Sequence, residues 1–93
     1  LMKPALPDIF CDLNARMTEN GYALASGSIE DLARLGLTPE QAVGMPFIFN
    51  GGDDTPDGGD PVEIVFDGTI ERDSRWGYLA VSDPKGVYWR TKA

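Results

Sequence analysis

Histidine is absent from this 93-residue chain, and cysteine occurs once, at position 11. Without histidine, the Ser-His and Cys-His nucleophile pairs and the imidazole acids and bases of many enzymes are excluded. With Cys11 as the one thiol, neither an internal disulfide nor a four-ligand zinc site can form within the chain. The sequence also contains no phosphate-binding loop, dinucleotide-binding glycine motif or nucleophile elbow. We therefore predict a protein that is not an enzyme and uses no cofactor.

Carboxylates are the catalytic groups that remain. Asp12, Glu63, Asp67 and Glu71 occupy polar positions of predicted strands, where pairs of them would suit general acid–base catalysis. Fifteen acidic residues in 93 bring some carboxylates together whatever the function. A carboxylate-based enzyme is therefore kept only as a residual hypothesis.

Basic residues are few: eight lysines and arginines stand against fifteen acids, a net charge of −7. Affinity for nucleic acid comes mainly from lysine and arginine on the phosphates, so this balance argues against a nucleic-acid partner. A basic protein partner is electrostatically easier to attract. The alternative explanation is that the negative charge serves solubility alone.

Long apolar runs are also missing, and none approaches the roughly 20 residues of a membrane span. The segment KPALPDIF, which follows Met2, contains two prolines and an aspartate and lacks the apolar core of a signal peptide. A single cysteine is typical of a reducing compartment. We expect a cytoplasmic protein without membrane contact.

The first half of the sequence predicts a hairpin and a short helix. Alternating apolar residues over 9–17 indicate a strand, and Asn20-Gly21 favours a two-residue type I′ turn that places Met17 opposite Leu24. Ser28 as cap and Gly36 as stop predict a helix over 29–35, with the helical turn TPEQAVG after it. Ile29, Leu32 and Ala33 are expected on its buried face.

The second half returns to strand patterns: MPFIFN, then VEIVFDGTIERD, WGYLAVSD and GVYWRTK, with SDPKG as a type I turn. About six short strands, mostly connected by hairpins, predict a mainly β (α+β) fold. We expect a small antiparallel β-barrel or rolled sheet with one capping helix. Residues 1–93 would form a single domain, with 1–7 as a flexible segment and 50–61 as an acidic, glycine-rich loop.

That loop is the one candidate metal site. Clustered carboxylates suit calcium, and the loop offers Asp53, Asp54, Asp57 and Asp60. An EF-hand is excluded because its twelfth position falls on Ile64, where a bidentate glutamate is required. A calcium- or small-ligand-binding module centred on 53–60 is therefore the alternative hypothesis, and a plain connection between strands is the simpler one.

Aromatic residues near the end of the chain are the candidate binding surface. Strand alternation allows only one of two neighbouring rings to point inward, so some rings are exposed unless the helix covers them. Exposed tryptophan, tyrosine and arginine are typical of protein interfaces. Core packing explains part of the cluster. For the rest we predict a protein-binding or regulatory surface that contains Arg75, Trp76, Tyr78, Tyr88, Trp89 and Arg90.

Overall fold

The computed structural model describes residues 6–55 and 58–91 as one six-stranded sheet with two helices. This confirms the predicted mainly β architecture with a short helix. In the described residues, no helix has the length and apolar character needed to span a membrane. The elements are β1 Asp8–Phe10, β2 Gly21–Ala23, α1 Ser26–Arg34, α2 Pro39–Ala42, β3 Pro46–Asp54, β4 Val62–Asp73, β5 Gly77–Ser82 and β6 Tyr88–Thr91.

The twelve-residue strand β4 organises the sheet. Strand β3 pairs with one edge of β4, and the other edge carries β5 along its second half and β6 along its first half. Strand β6 therefore continues the line of β5 after the turn at 83–87. In that turn Gly86 has φ +76° and donates to the carbonyl of Asp83, as the SDPKG motif predicts.

The sheet is open, so a closed barrel is excluded. Its order is β1-β3-β4-β5-β2, with β1 and β2 at opposite edges. Of the predicted antiparallel hairpins, those that join β3, β4 and β5 are present. Strand β1 pairs with β3 in parallel, and β6 pairs with β4 and not with β5, the strand before it. Helix α1 closes the outer edge of β1: Asp31 accepts the Phe10 N–H at 2.8 Å, and the Ser28 hydroxyl donates to the Phe10 carbonyl at 2.6 Å.

The strand predicted over 9–17 is shorter than expected and has a different partner. The strand ends at Phe10, because the Asp12 side chain accepts the Asn14 N–H and the Asp12 carbonyl accepts the Ala15 N–H. These local bonds turn the chain out of the ladder. The chain does reverse before β2, but Arg16 pairs with Tyr22, and no residue from 6 to 35 has a positive φ. The type I′ turn and its register were therefore wrong.

Helix α1 begins three residues earlier than predicted. Ser28 is the third residue of the helix, where its hydroxyl accepts the Ala25 N–H at 3.1 Å. The buried face contains Ser28 and Leu32, while Ile29 is exposed. The predicted stop is correct: Gly36 has φ +76°, and the Leu37 N–H donates to the Leu32 carbonyl. The predicted turn at 38–44 is also confirmed as α2 with Thr38 as cap.

Aromatic rings form the centre of the core on the helix-covered face of the sheet. Phe66 in β4 lies between Tyr22 and Phe49, with ring centroids 5.3 and 5.1 Å away. The other face is less covered, although Val65, next to Phe66, is also fully buried. The buried core cluster consists of Ile9, Cys11, Leu32, Ala42, Phe47, Phe49, Phe66, Ile70 and Ala80.

The acidic loop is shorter than the predicted 50–61. Strand β3 continues to Asp54, with Asp53 opposite Glu63 after a register shift that follows Asn50. Gly52 has φ +111° within this irregular stretch, a conformation that favours glycine. The connection proper is therefore 55–61, of which 56–57 lie outside the described residues. Of the flexible segment predicted over 1–7, residues 1–5 lie outside the described part of the chain, and the Pro7 carbonyl accepts the Ile48 N–H.

Candidate functional site

The structure separates the two tryptophans of the predicted binding surface. Trp76 lies in the turn between β4 and β5, whereas Trp89 in β6 pairs with Ile64 near the start of β4. The nine residues from Ile64 to Asp73 place the two rings about 30 Å apart along the sheet. One partner segment would not contact both rings at a single point.

Trp76 is half-exposed and is fixed by its own turn. The Asp73 carboxylate accepts the Arg75 and Trp76 N–H groups at 2.7 and 2.9 Å. The Arg75 guanidinium lies 4.8 Å from the Trp76 ring centroid, a cation–π contact that holds both side chains on the surface. The residues of this pair are close together, as the sequence predicts.

The side chains of the two tyrosines, Tyr78 and Tyr88, make most of their contacts within the fold. Tyr78 packs against the core on the helix side. Tyr88 points to the opposite face, where its hydroxyl donates to Asp67 at 2.7 Å and Lys85 lies 4.1 Å from its ring centroid. The hydrogen bond to Asp67 raises the pKa of Tyr88. Neither tyrosine offers a free ring face of the kind that Trp89 does.

Arg90 is held in a polar network on the face away from the helices. Its guanidinium bonds Glu63 in β4 at 2.8 Å and both carboxylate oxygens of Asp8 in β1, and Asn50 donates to Asp8. The hydrogen bond from Arg90 lowers the pKa of Asp8, and the two carboxylates raise that of Arg90. A flat sheet would hold β1 and β6 about 14 Å apart, so this contact requires the sheet to curl.

We expect the Asp8–Arg90 pair to add stability that disappears in acid. Because the folded-state pKa of Asp8 is lowered, its contribution is present above about pH 4 and is lost as the pH falls through the lowered value. Urea unfolding of the wild type and Asp8→Asn at pH 7 and at about pH 2.5 checks this. The wild type should be more stable at pH 7, by a small margin since the pair is partly exposed. A difference that persists unchanged in acid would contradict the assignment.

Trp89 is the most exposed large apolar side chain among the described residues, with 62% of its surface accessible. It lies on the helix side of the sheet, beyond the area that the helices cover. The half-exposed Val87, two residues earlier, points the same way. Strand β6 pairs with β4 and with no other strand in the described part of the chain.

A groove of about 500 Å³ lies at the turn that leads into β6. It opens between the turn that precedes β2 and the turn that joins β5 to β6. The sequence did not reveal it, because its two sides are about sixty residues apart and only the pairing of β2 with β5 brings them together. Its lining residues are Glu19, Asn20, Tyr22, Ser82, Asp83, Pro84, Gly86 and Val87.

A second, apolar groove of about 460 Å³ lies at the opposite side of the helices. Leu35 at the end of α1 and Met45 before β3 are exposed there, at 45% and 39%. The sequence did not single out these positions, since isolated apolar residues on a surface are common. The groove is lined by Leu6, Pro7, Leu35, Leu37, Met45, Pro46 and Phe47.

Cys11 is unsuited to chemistry. Its side chain is buried in the core, and burial raises its pKa to about 12. Since the thiolate is the nucleophilic form, this cysteine is a packing residue, as its place on the apolar side of the first predicted strand indicates.

The acidic residues of the alternative calcium site are spread by the fold. Asp53 and Asp54 lie in β3, Asp60 lies near the start of β4, and Asp57 lies outside the described residues. Across residues 6–55 and 58–91, no three histidine, cysteine or acidic side chains are grouped closely enough to hold a metal ion.

We predict that calcium binds this loop no more tightly than about 1 mM, since high affinity requires several converging carboxylates. An NMR titration of the amides from 51 to 64 with calcium measures the affinity directly. Chemical-shift changes that are confined to the amides of Asp53 to Asp60 and saturate at micromolar calcium, together with a raised melting temperature, would restore the calcium hypothesis.

Comparison of the chain with protein-family models, with curated proteins and with solved structures gives no match.

Proposed function

We propose that this protein is a small, acidic, non-catalytic domain that binds a basic protein partner through the surface around Trp89. One observation carries the proposal: a tryptophan that is 62% exposed lies on an edge strand, two residues beyond Val87, which lines a groove that contains acidic residues. Tryptophan is enriched among the residues that dominate interface affinity. An exposed ring contributes less to folding than a buried one, and binding is the role that we propose for it.

The charge of the chain supports a basic partner. The net charge is −7, and complementary charge accelerates association and disfavours acidic competitors. On the face away from the helices, Asp8 and Glu63 are neutralised by ion pairs with Arg90. The groove at the turn before β6 is lined by Glu19 and Asp83, which form no ion pair within the described ranges. We place the protein in the cytoplasm, because its single cysteine excludes an internal disulfide and is typical of a reducing compartment.

We expect Trp89→Thr to weaken partner binding by about 30-fold or more, since loss of an interface tryptophan commonly costs about 2 kcal/mol. Threonine retains the preference for a strand. Affinity capture from the source cells with wild-type bait identifies the partner, and calorimetry with the purified partner measures both affinities. The association rate should fall as salt is added.

Trp76→Thr is the matched control, because it removes an equally large ring about 30 Å away. The affinity of Trp76→Thr for the partner should remain close to that of the wild type. Equal losses for both variants, or a partner that binds Trp89→Thr normally, would contradict the proposed surface. An acidic partner would contradict the electrostatic part of the proposal.

A further inference from the structure

One edge of the sheet is vacant beside β6. Strand β5, which lies in line with β6, carries β2 on its outer edge, with Gly21 opposite Val81 and Ala23 opposite Leu79. The row that β2 occupies beside β5 is empty beside β6 in the described part of the chain. A free strand edge presents N–H and carbonyl groups that can pair with another strand.

At the outer edges of β1 and β2, backbone groups are bonded by other parts of the chain. The Phe10 N–H and carbonyl at the edge of β1 both bond side chains of α1. At the edge of β2, the Ala23 N–H donates to the Ala15 carbonyl, and Tyr22 forms a bridge with Arg16. Strand β6 has no such cover among the described residues, although it has the most exposed tryptophan.

The groove marks the end of the vacant row. It lies where the chain enters β2 on one side and turns from β5 to β6 on the other. Glu19 and Asp83 line it, and neither forms an ion pair within the described ranges. Tyr22 adds an aromatic wall. A lysine or arginine side chain that enters this groove gains two carboxylates and an aromatic ring.

We infer that β6 binds its partner by strand addition: an extended segment of the partner pairs with the outer edge of β6, in line with β2. Side chains of a strand alternate between faces, so basic residues at every second position would all lie on the Trp89 side, with one of them in the groove. This inference rests on the proposed function and adds the mode of binding and the pattern of the segment.

The test uses three synthetic peptides at physiological salt. The first alternates four lysines with four valines, the second has the same residues in two blocks, and the third is the first with alternate amides N-methylated. The isotope-labelled protein is titrated with each, and hydrogen exchange of the amides in Tyr88–Thr91 is recorded by NMR. We expect the alternating peptide to slow exchange in β6, and both controls to bind about tenfold more weakly. Two lost backbone hydrogen bonds account for that factor in the methylated peptide.

Two substitutions test the groove. Glu19→Gln and Asp83→Asn remove the charges but keep the shape, and asparagine retains an oxygen that can accept the Lys85 N–H, as Asp83 does. The double variant should bind the alternating peptide about tenfold more weakly. Glu40→Gln removes a charge from α2, away from the groove, and should change the affinity little.

The outcomes separate this inference from the proposed function. Failure of the alternating peptide to bind below millimolar concentration, or equal binding of the methylated peptide, overturns strand addition. If the natural partner binds through Trp89 while exchange in β6 stays unchanged, strand addition is likewise overturned, although the proposed function stands. If the partner binds independently of Trp89, the proposed function fails.

Discussion

Gly68→Ala is expected to lower the free energy of unfolding by about 3 kcal/mol or more, the upper range for an added methyl group in a packed site. A Cβ at this position would lie 2.1 Å from the Val81 carbonyl oxygen and 2.9 Å from its carbon. Both are backbone atoms of β5, so no side-chain rotation relieves the clash. The two strands would have to separate where Asp67 and Gly68 pair with the end of β5. Urea unfolding followed by tryptophan fluorescence measures the loss.

Gly27→Ala is the matched control for this substitution. Its Cβ would lie 2.9 Å from the ring of Phe10, a half-exposed side chain that can move. Because alanine is favoured over glycine in a helix by up to about 1 kcal/mol, we expect a net change within about 1 kcal/mol. Equal stability of Gly68→Ala and the wild type would show that the close approach of β4 and β5 is wrong.

Phe66→Ala should cost about 3–5 kcal/mol, because it removes a buried ring from the centre of the core. Phe66 is inaccessible to solvent and stacks between the rings of Tyr22 and Phe49. The cavity would lie between the rings of Tyr22 in β2 and Phe49 in β3. Both strands are held in place by their pairing in the sheet, so little relaxation can refill it. A chain of 93 residues is typically stable by about 5–14 kcal/mol, so the variant is expected to unfold at a much lower urea concentration than the wild type.

Phe10→Ala provides the comparison for Phe66→Ala. The Phe10 ring is 40% exposed at the edge strand β1, so its removal should cost less than half as much, about 1–1.5 kcal/mol. Denaturation midpoints of the two variants, measured together, rank the two sites. A larger loss at Phe10 than at Phe66 would contradict the position of the core.

Local patterns predicted the elements that depend on local chemistry. The stop at Gly36 and the cap at Thr38 were correct, because the bonds that define them lie within a few residues. The hairpin pattern of 9–24 failed because Asp12 and Asn14 form a turn that competes with the strand. The parallel pairing of β1 with β3 brings together residues about forty positions apart, which no local pattern reports.

The candidate site was predicted in part. Exposure of one ring in each neighbouring pair follows from strand alternation, and Tyr88 and Trp89 do point to opposite faces. What the sequence did not show is that β6 leaves β5 and pairs with β4. That pairing separates Trp89 from Trp76 and recruits Arg90 into a network with Asp8. It also leaves the free edge beside the groove.

On the proposed function, the Trp89 ring serves binding and not folding. The direct measurement takes one preparation of Trp89→Thr and determines both its urea midpoint and its affinity for the purified partner. We predict a free energy of unfolding within about 1 kcal/mol of the wild type and an affinity reduced by about 30-fold or more. The opposite result would contradict this role: a free energy of unfolding well below that of the wild type, together with an unchanged affinity of the folded variant for the partner.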